Sequence, residues 1–255
     1  MIRPLLLAAL LVILSCTARA QDASVDPPGD ASQQDPQPVP LQPFVATYQV
    51  FHGGRELGEA TMQLTHVDGP RWQVGLGMKG RGLMRLTGLN LQQSTLFDSD
   101  GAVYRPLTQA TVKRAFLSSR RTVGIYDWMH RVARWTGDVR TGHAGPVPLQ
   151  PGDMSGLLID LAVIRDAAPG RALEYRFVDD GRVRDHHWVV APQTENIAVG
   201  DIGYDAMRAN RIQDGGDDTI IWVAAGVPTP IRILQREDGA DSTDLRLVEY
   251  KGVTQ

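Results

Sequence analysis

The sequence holds a single cysteine, Cys16, which lies in the N-terminal apolar segment. A disulfide, a thiolate metal ligand and a thiol nucleophile are therefore excluded from everything that follows it. The sequence also lacks an apolar run long enough to cross a bilayer, since its longest one spans only Leu5 to Leu14. A folded domain after Cys16 must be held together by its hydrophobic core alone.

Neither sign of charge dominates, because residues 44–255 contain 24 basic and 25 acidic side chains mixed along the chain. No basic run argues for nucleic acid.

The only adjacent histidines, His186 and His187, point to opposite faces of a strand and cannot share a metal ion. Residues 75–80 match a dinucleotide-binding glycine pattern, but Gly82 and Gly88 fall where that motif needs a helix. The sequence implies no cofactor, no metal and no nucleic-acid partner.

The N-terminus has the pattern of an export signal. Arg3 precedes the apolar run, and Ala18-Arg19-Ala20 supplies the small-x-small pattern read by signal peptidase. We expect a signal peptide over residues 1–20, cleavage after Ala20 and delivery to the periplasm. The alternative is lipidation at Cys16, which follows apolar residues but has the bulky Leu14 two positions before it.

Residues 21–43 contain six prolines, four aspartates and no basic residue. Such a segment buries too little apolar surface to offset the entropy of ordering, so we expect a disordered tether. Residues 44–255 are enough for one domain with a sizeable core.

This domain consists mainly of short segments with apolar and polar residues in alternation, joined by Gly and Asp, which is typical of antiparallel hairpins. The predicted strands are 44–51, 56–67, 71–78, 91–98, 102–114, 119–126, 131–136, 171–178, 183–191, 204–212, 218–223, 230–236 and 243–251.

One segment has helical spacing instead. Apolar residues recur three or four apart over 154–164, Asp153 is placed to cap the first turn, and Pro169-Gly170 ends the run. A helix over 153–166 must bury its leucine face against the sheet. The predicted fold is therefore mainly β, a large curved antiparallel sheet or incomplete barrel with one amphipathic helix packed against it. A transmembrane barrel is the less favoured alternative, because this helix has no place on a lipid face.

Two sets of apolar residues are candidates for ligand or membrane contact. The concave side of the sheet would offer a pocket, with candidate lining residues Leu157, Leu158, Leu161, Trp188 and Trp222. The loop before residue 90 alternates basic and apolar residues, so Leu83, Met84 and Leu86 are candidates for membrane contact. Ordinary core packing is the alternative for both sets.

No catalytic motif is present, and Ser155 lacks the spacing of a nucleophile elbow. The less favoured enzymatic alternative, a hydrolase of envelope polymers or esters, would require two of a small polar set to converge in one cleft. That set is Asp153, Asp185, His187, Glu195 and Asp201.

Several different short motifs follow one another along the domain in a defined order. They are Tyr48–Val50, Gly58, Gly101–Pro106, Tyr126–Trp128, Asp153–Leu158, Pro169-Gly170, Glu195–Ile197, Ile202–Arg208, Trp222-Val223 and Pro228–Ile233. Over about residues 44 to 250 this order resembles an uncharacterised family of exported bacterial proteins, domain of unknown function number 3108. The resemblance implies export, a mostly antiparallel β domain with one helix, and no established activity. The architecture is also similar to the half-open barrels of periplasmic lipoprotein carriers, which is an analogy of fold only.

The leading functional hypothesis is a non-enzymatic periplasmic protein that binds an apolar or acyl-chain ligand in the concave sheet. The alternative is a structural or protein-interaction module of the cell envelope, with an envelope protein as partner. A concave face that is fully packed would favour the alternative, and a cavity of a few hundred cubic ångströms would favour binding.

Overall fold

The computed structural model describes residues 40–82, 90–101, 103–115, 118–213 and 217–252. Strands occupy most of them, and one α-helix, α1, spans Gly156–Asp166 in that part of the chain. The strands are β1 (Phe44–His52), β2 (Arg55–Asp68), β3 (Arg71–Gly80), β4 (Asn90–Ser99), β5 (Tyr104–Ala115), β6 (Ser118–Asp127), β7 (Val132–Gly137), β8 (Val147–Pro148), β9 (Asp153–Met154), β10 (Ala172–Asp179), β11 (Arg182–Val199), β12 (Ile202–Ile212), β13 (Asp218–Ala224), β14 (Arg232–Glu237) and β15 (Ala240–Gly252).

All fifteen strands belong to one sheet, in the order β8-β7-β6-β5-β4-β3-β2-β1-β15-β14-β13-β12-β11-β10-β9. Every pair is antiparallel except the short contact of β9 with β10. The first and last strands are neighbours in the middle of the sheet, with Phe44 opposite Gly252. The sheet is not closed by hydrogen bonds, since β8 and β9 are its edges. The predicted curved sheet with one helix is confirmed.

The hairpins form where Asp and Gly were expected to make turns. At Asp180-Gly181 the φ angles are 47° and 70°, and at Asp238-Gly239 they are 51° and 76°. Two successive positive φ angles match the right-handed twist of the strands that a two-residue turn connects. The hairpins β1–β2, β5–β6, β10–β11 and β14–β15 lie at the same end of the sheet, because consecutive strands are antiparallel. We call this end the mouth.

Helix α1 lies inside the curve of the sheet, where it contacts β3, β4, β5, β10 and β13. Its buried side chains surround the helix axis, because strands from both halves of the sheet pack on it. They are Leu157, Leu158, Ile159, Leu161, Ala162 and Val163. Since β9 runs towards the mouth and α1 turns back from it, the first turn of α1 faces the mouth.

The predicted start of the helix, at Asp153, was wrong. Helix α1 begins at Gly156, and no side chain caps its first turn. Asp153 instead lies in β9, fully buried, where it accepts hydrogen bonds from Arg176 and from the backbone N–H of Gln150. The Ser155 hydroxyl lies 2.8 Å from the Thr95 hydroxyl rather than on a free helical amide. Both polar groups connect the helix entry to neighbouring strands.

Side chains bridge the gap between the two edges of the sheet. The Tyr126 hydroxyl lies 2.6 Å from the Val178 carbonyl oxygen and 2.9 Å from Oε1 of Gln109. The turn at Gly181 packs so closely on the His143 carbonyl that a Cβ at this position would overlap it. The gap between the edge strands is therefore closed by side-chain and turn contacts and not by backbone hydrogen bonds between strands.

No helix in the described ranges is both long and apolar enough to cross a membrane.

Candidate functional site

A cavity of about 440 Å³ lies between the first turn of α1 and the mouth. Strands from both halves of the sheet line it, so the curvature that surrounds α1 also produces the cavity. The helix fills one end of the barrel and leaves the other end open. This volume is within the range of small-molecule sites.

Most of the wall nearest the helix is apolar. Leu157 and Ile159 come from the first turn of α1, while Leu76 and Met78 come from the glycine-rich strand β3. Alternation along β3 places Gly75 and Gly77 on the outer face of the sheet and directs these two larger side chains inward. Further apolar lining comes from Leu91, Phe177, Trp188, Ile233 and Leu245.

Basic side chains line the part of the cavity nearest the mouth. Arg182 and Arg184 come from the start of β11, Arg211 from the end of β12, and Lys113 from the end of β5. Uncharged polar residues, among them Thr219 and Gln235, lie at the same level on β13 and β14. The cavity thus has an apolar interior and a cationic opening.

Two carboxyl groups share this cavity, and burial weakens the charge on both. Burial raises the pKa of Asp160 to about 7, although the positive charge of Arg211 acts in the opposite direction. Burial also raises the pKa of Asp179, against a hydrogen bond from Gln109. Both groups are therefore less ionised than ordinary aspartates, and the positive charge at the opening is only partly balanced.

His186 lies between the basic and apolar parts of the wall. Its ring stacks on Phe177 with centroids 4.6 Å apart and planes 12° apart. Burial, together with the charges of Arg211 and Arg184, lowers the pKa of His186 to about 4, so the imidazole is neutral near pH 7. His187 is exposed, with Nδ1 3.5 Å from a Glu174 carboxylate oxygen. The two histidines face opposite sides of the strand, as the sequence predicted.

Two of the five predicted pocket residues line the cavity, and three do not. Leu157 and Trp188 line the cavity. Leu158 and Leu161 are buried in the main core and do not line it. Trp222 points to the other face of β13, where its indole N–H donates to Glu195 at 2.9 Å.

The residues proposed for membrane contact, Leu83, Met84 and Leu86, lie outside the described residues. Their contact with a membrane stays a prediction. The flanking strand ends, Gly80 of β3 and Asn90 of β4, lie at the mouth.

The polar residues considered for catalysis are dispersed over the fold. Asp153 is paired with Arg176, His187 with Glu174, and Glu195 with Arg208 and Trp222. Asp185 and Asp201 are exposed. Among the residues that the structure describes, no hydrogen bond or ion pair joins any two of these five, and no group of three metal-binding side chains occurs.

The sequence analysis missed the charged residues that define the cavity. One signal was available for Asp160, which is the only charged residue in the apolar stretch from Leu157 to Ile164. Arg184 and Arg211 gave no such signal, because arginine is frequent throughout this chain. Arg184 and Arg211 reach the same cavity because of the register of β11 with β12, in which Trp188 lies opposite Arg211.

A solved structure, described as a beta-barrel-like protein of domain of unknown function DUF1849 from Brucella abortus, is 14% identical with a TM-score of 0.48; the match covers 85% of this chain and 100% of that one. No curated protein matches the chain. The family model described as Protein of unknown function (DUF3108) matches residues 47–246, as the resemblance of the motifs predicted. This chain therefore belongs to the DUF3108 family.

Proposed function

We propose that this domain is a binding protein of the bacterial envelope, exported to the periplasm, that holds an apolar or acyl-chain ligand inside its curved sheet. The observation that carries the proposal is the cavity of about 440 Å³ above α1. A sheet that served only as a scaffold would be expected to fill its concave side with side chains. Here α1 fills only the end of the barrel away from the mouth.

The apolar wall supports a ligand with a hydrocarbon part. Leu76, Leu157 and Ile159 present aliphatic surface, and Phe177 and Trp188 add flat aromatic surface. Each methylene group of a ligand that leaves water for such a wall contributes about 0.8 kcal/mol. A chain of several methylenes would bind without any specific polar contact.

The proposal assigns binding rather than catalysis to the cavity. The residues that line it include no cysteine, and its single histidine, His186, is stacked on Phe177 with its pKa lowered to about 4. A base with so low a pKa is a weak proton acceptor near pH 7. Asp160 has a pKa of about 7, which would suit a proton acceptor, but it forms no hydrogen bond or ion pair with another cavity side chain among the described residues, so we assign binding to the cavity.

Native mass spectrometry of the mature protein, purified gently from its own periplasm, tests the proposal. A co-purifying lipid or other apolar molecule is expected. A Thr219→Trp variant, which places an indole in the cavity, should lose that molecule. Thr65→Trp adds the same side chain to an exposed position of β2 on the outer face and should retain it.

A bare mass for the wild-type protein, together with no binding of added alkyl compounds, would overturn the proposal. The periplasmic assignment has its own test in the same preparation. The intact mass of the purified chain should correspond to a start at Gln21, whereas a chain that begins at a lipidated Cys16 would be heavier and would fractionate with membranes.

A further inference from the structure

Three of the four basic side chains at the opening of the cavity have no partner among the described residues. The side chains of Arg211, Arg184 and Lys113 form no hydrogen bond and no ion pair with any residue that the structure describes. Arg182 alone has an acidic neighbour, Asp180, at 4.0 Å. Cations on a protein surface often have no partner, but Arg211 is not exposed, and its Nε is completely shielded from solvent.

A second buried donor lies beside Arg211. The indole N–H of Trp188 is also shielded from solvent and has no acceptor among the described residues. Trp188 and Arg211 are directly opposite each other on β11 and β12, and both line the cavity. Buried donors without acceptors are rare in folded proteins because each unmade hydrogen bond is costly. Trp135 and Arg208 also have buried donors without a hydrogen-bonded acceptor, but neither lines this cavity. The donors of Trp188 and Arg211 do line it, and they indicate a place for an acceptor that a ligand brings.

The carboxyl groups in the cavity do not supply that acceptor. Asp160 and Arg211 influence each other's pKa but form no ion pair within 4 Å. Burial raises the pKa of both Asp160 and Asp179, which reduces their negative charge. Asp217 and Asp218 also act to raise the pKa of Arg211, but none of these carboxylates forms an ion pair with it, so the guanidinium keeps donors that a ligand could use.

The positions of the charged and apolar residues give the ligand an orientation. Lys113, Arg184 and Arg211 lie close to the strand ends at the mouth, whereas Leu157 and Ile159 lie on the helix beneath. A molecule with one charged end and one apolar end would place its charged end towards the mouth and its chain on α1.

We propose that the cavity selects an anionic amphiphile, whose carboxylate or phosphate is bound by Arg211 with Arg184 and Lys113 while its alkyl chain lies on the first turn of α1. This inference rests on the proposed function, since it names the class of ligand for the same cavity. Guanidinium groups suit both head groups, because their N–H donors match the oxygens of a carboxylate or a phosphate.

Calorimetric titration of the full mature chain, freed of bound lipid, with three ligands of equal chain length tests this inference. The ligands are dodecanoate, dodecyl phosphate and dodecanol, each below the concentration at which it aggregates. At least one anion should bind about tenfold or more tightly than dodecanol, as expected for hydrogen bonds to a charged group. Whichever anion binds more tightly identifies carboxylate or phosphate as the preferred head group.

The Arg211→Gln variant should lose most of this preference and bind dodecanol as the wild-type protein does. Arg208→Gln is the matched control, because Arg208 is on the same strand but faces outward to Glu195. It should keep the preference. If Arg211→Gln does not fold, Arg184→Gln provides the same comparison from β11.

The outcomes separate this inference from the proposed function. Equal affinity of the wild-type protein for all three ligands would overturn the selection of an anion and leave binding of an alkyl chain intact. No binding of any of the three would overturn both. A preference for the anion that survives both Arg211→Gln and Arg184→Gln would place the head group elsewhere and also contradict the inference.

Discussion

Strands β12 to β15 carry arginines on both faces, and the arginines on the two faces differ in their carboxylate partners. On the outer face, the Nε and Nη2 of Arg232 donate to the two carboxylate oxygens of Asp244 at 2.7 and 2.8 Å. Arg246 donates to the same carboxylate at 2.9 Å. Arg208 forms an ion pair with Glu195, 2.9 Å from Nε to a carboxylate oxygen, although this Nε is not aligned for a hydrogen bond. On the inner face, Arg211 has no such partner among the described residues.

The arginines on the outer face contact aromatic rings as well as carboxylates. Arg232 also lies over the ring of Trp222, and Arg246 over that of Phe51, with 4.9 and 4.4 Å from the guanidinium carbon to the ring centre. Their charges are neutralised and their flat groups are packed. Arg211 lies opposite Trp188 and lines the cavity, but it has no carboxylate in contact among the described residues. The outer arginines therefore stabilise the fold, and the lack of a carboxylate partner at the inner one is consistent with its proposed role in binding a ligand.

The largest effect is expected where an unpaired charge is added to the packed part of the interior. Leu158 on α1 is completely buried and does not line the cavity. Leu158→Asp should therefore destabilise the domain by about 4 kcal/mol or more, enough to unfold it. Circular dichroism during thermal unfolding measures this. Ile202→Asp makes the same type of change at an exposed strand position and should leave the protein folded. A folded Leu158→Asp variant would mean that α1 is peripheral.

A smaller loss is expected when the outer cluster is broken. Asp244 is 5% exposed and is held between Arg232 and Arg246. Asp244→Ala leaves a partly buried guanidinium without a partner and should cost about 3 kcal/mol in the free energy of unfolding. Urea denaturation provides the value. The control is Asp241→Ala, which removes the partner of the more exposed Arg236 and should change little. Ligand binding should be unaffected by either substitution.

The smallest effect is expected to depend on pH. The pKa of Asp160 rises from 3.8 to about 7 on folding, so its contribution is fully present below pH 4 and is lost as the pH rises to 7. Asp160→Asn removes this titration. Relative to the wild-type protein, the variant should gain about 2 kcal/mol of stability between pH 4 and pH 8, a value reduced because the side chain is partly exposed to the cavity.

Urea denaturation of both proteins at several pH values measures this difference. His186, whose lowered pKa gives a contribution that falls as the pH drops from 6.5 towards 4, is present in both and largely cancels. Asp244 provides the contrast on the outer face. Burial raises its pKa, but the hydrogen bonds from Arg232 and Arg246 outweigh burial and keep the pKa below its usual value. A constant difference between wild-type and Asp160→Asn proteins across the pH range would contradict the raised pKa of Asp160.

Local patterns were sufficient to predict most of the strands. Alternation of apolar and polar residues and the Asp-Gly turns determine them, because both act between residues close in sequence. The second half of β11 was missed because Pro192 falls within it. The structure accommodates this proline at a break in register between Val190 and Thr194, where a missing N–H does no harm. The two-residue strands β8 and β9 are too short to show any period.

The site could be predicted only in part. Leu157 and Trp188 were named as pocket residues because apolar side chains on a lone helix and in a neighbouring strand must meet inside the curve. The cationic opening was not predicted, since Lys113, Arg184 and Arg211 lie far apart in sequence. Only the tertiary arrangement of β5, β11 and β12 brings them to one end of the sheet.

The pairing of β1 with β15 has a consequence for how the chain folds. All other strand pairs join neighbours in sequence, so the sheet is an up-and-down meander whose gap falls between β8 and β9 and not between the last strand and the first. The domain is thus a circularly permuted meander, in which one ladder alone must form between distant parts of the chain. Loop closure over that distance is slow compared with hairpin formation. We therefore expect two sets of hairpins to form early, with the two halves of the sheet joined in one late step when Phe44 meets Gly252.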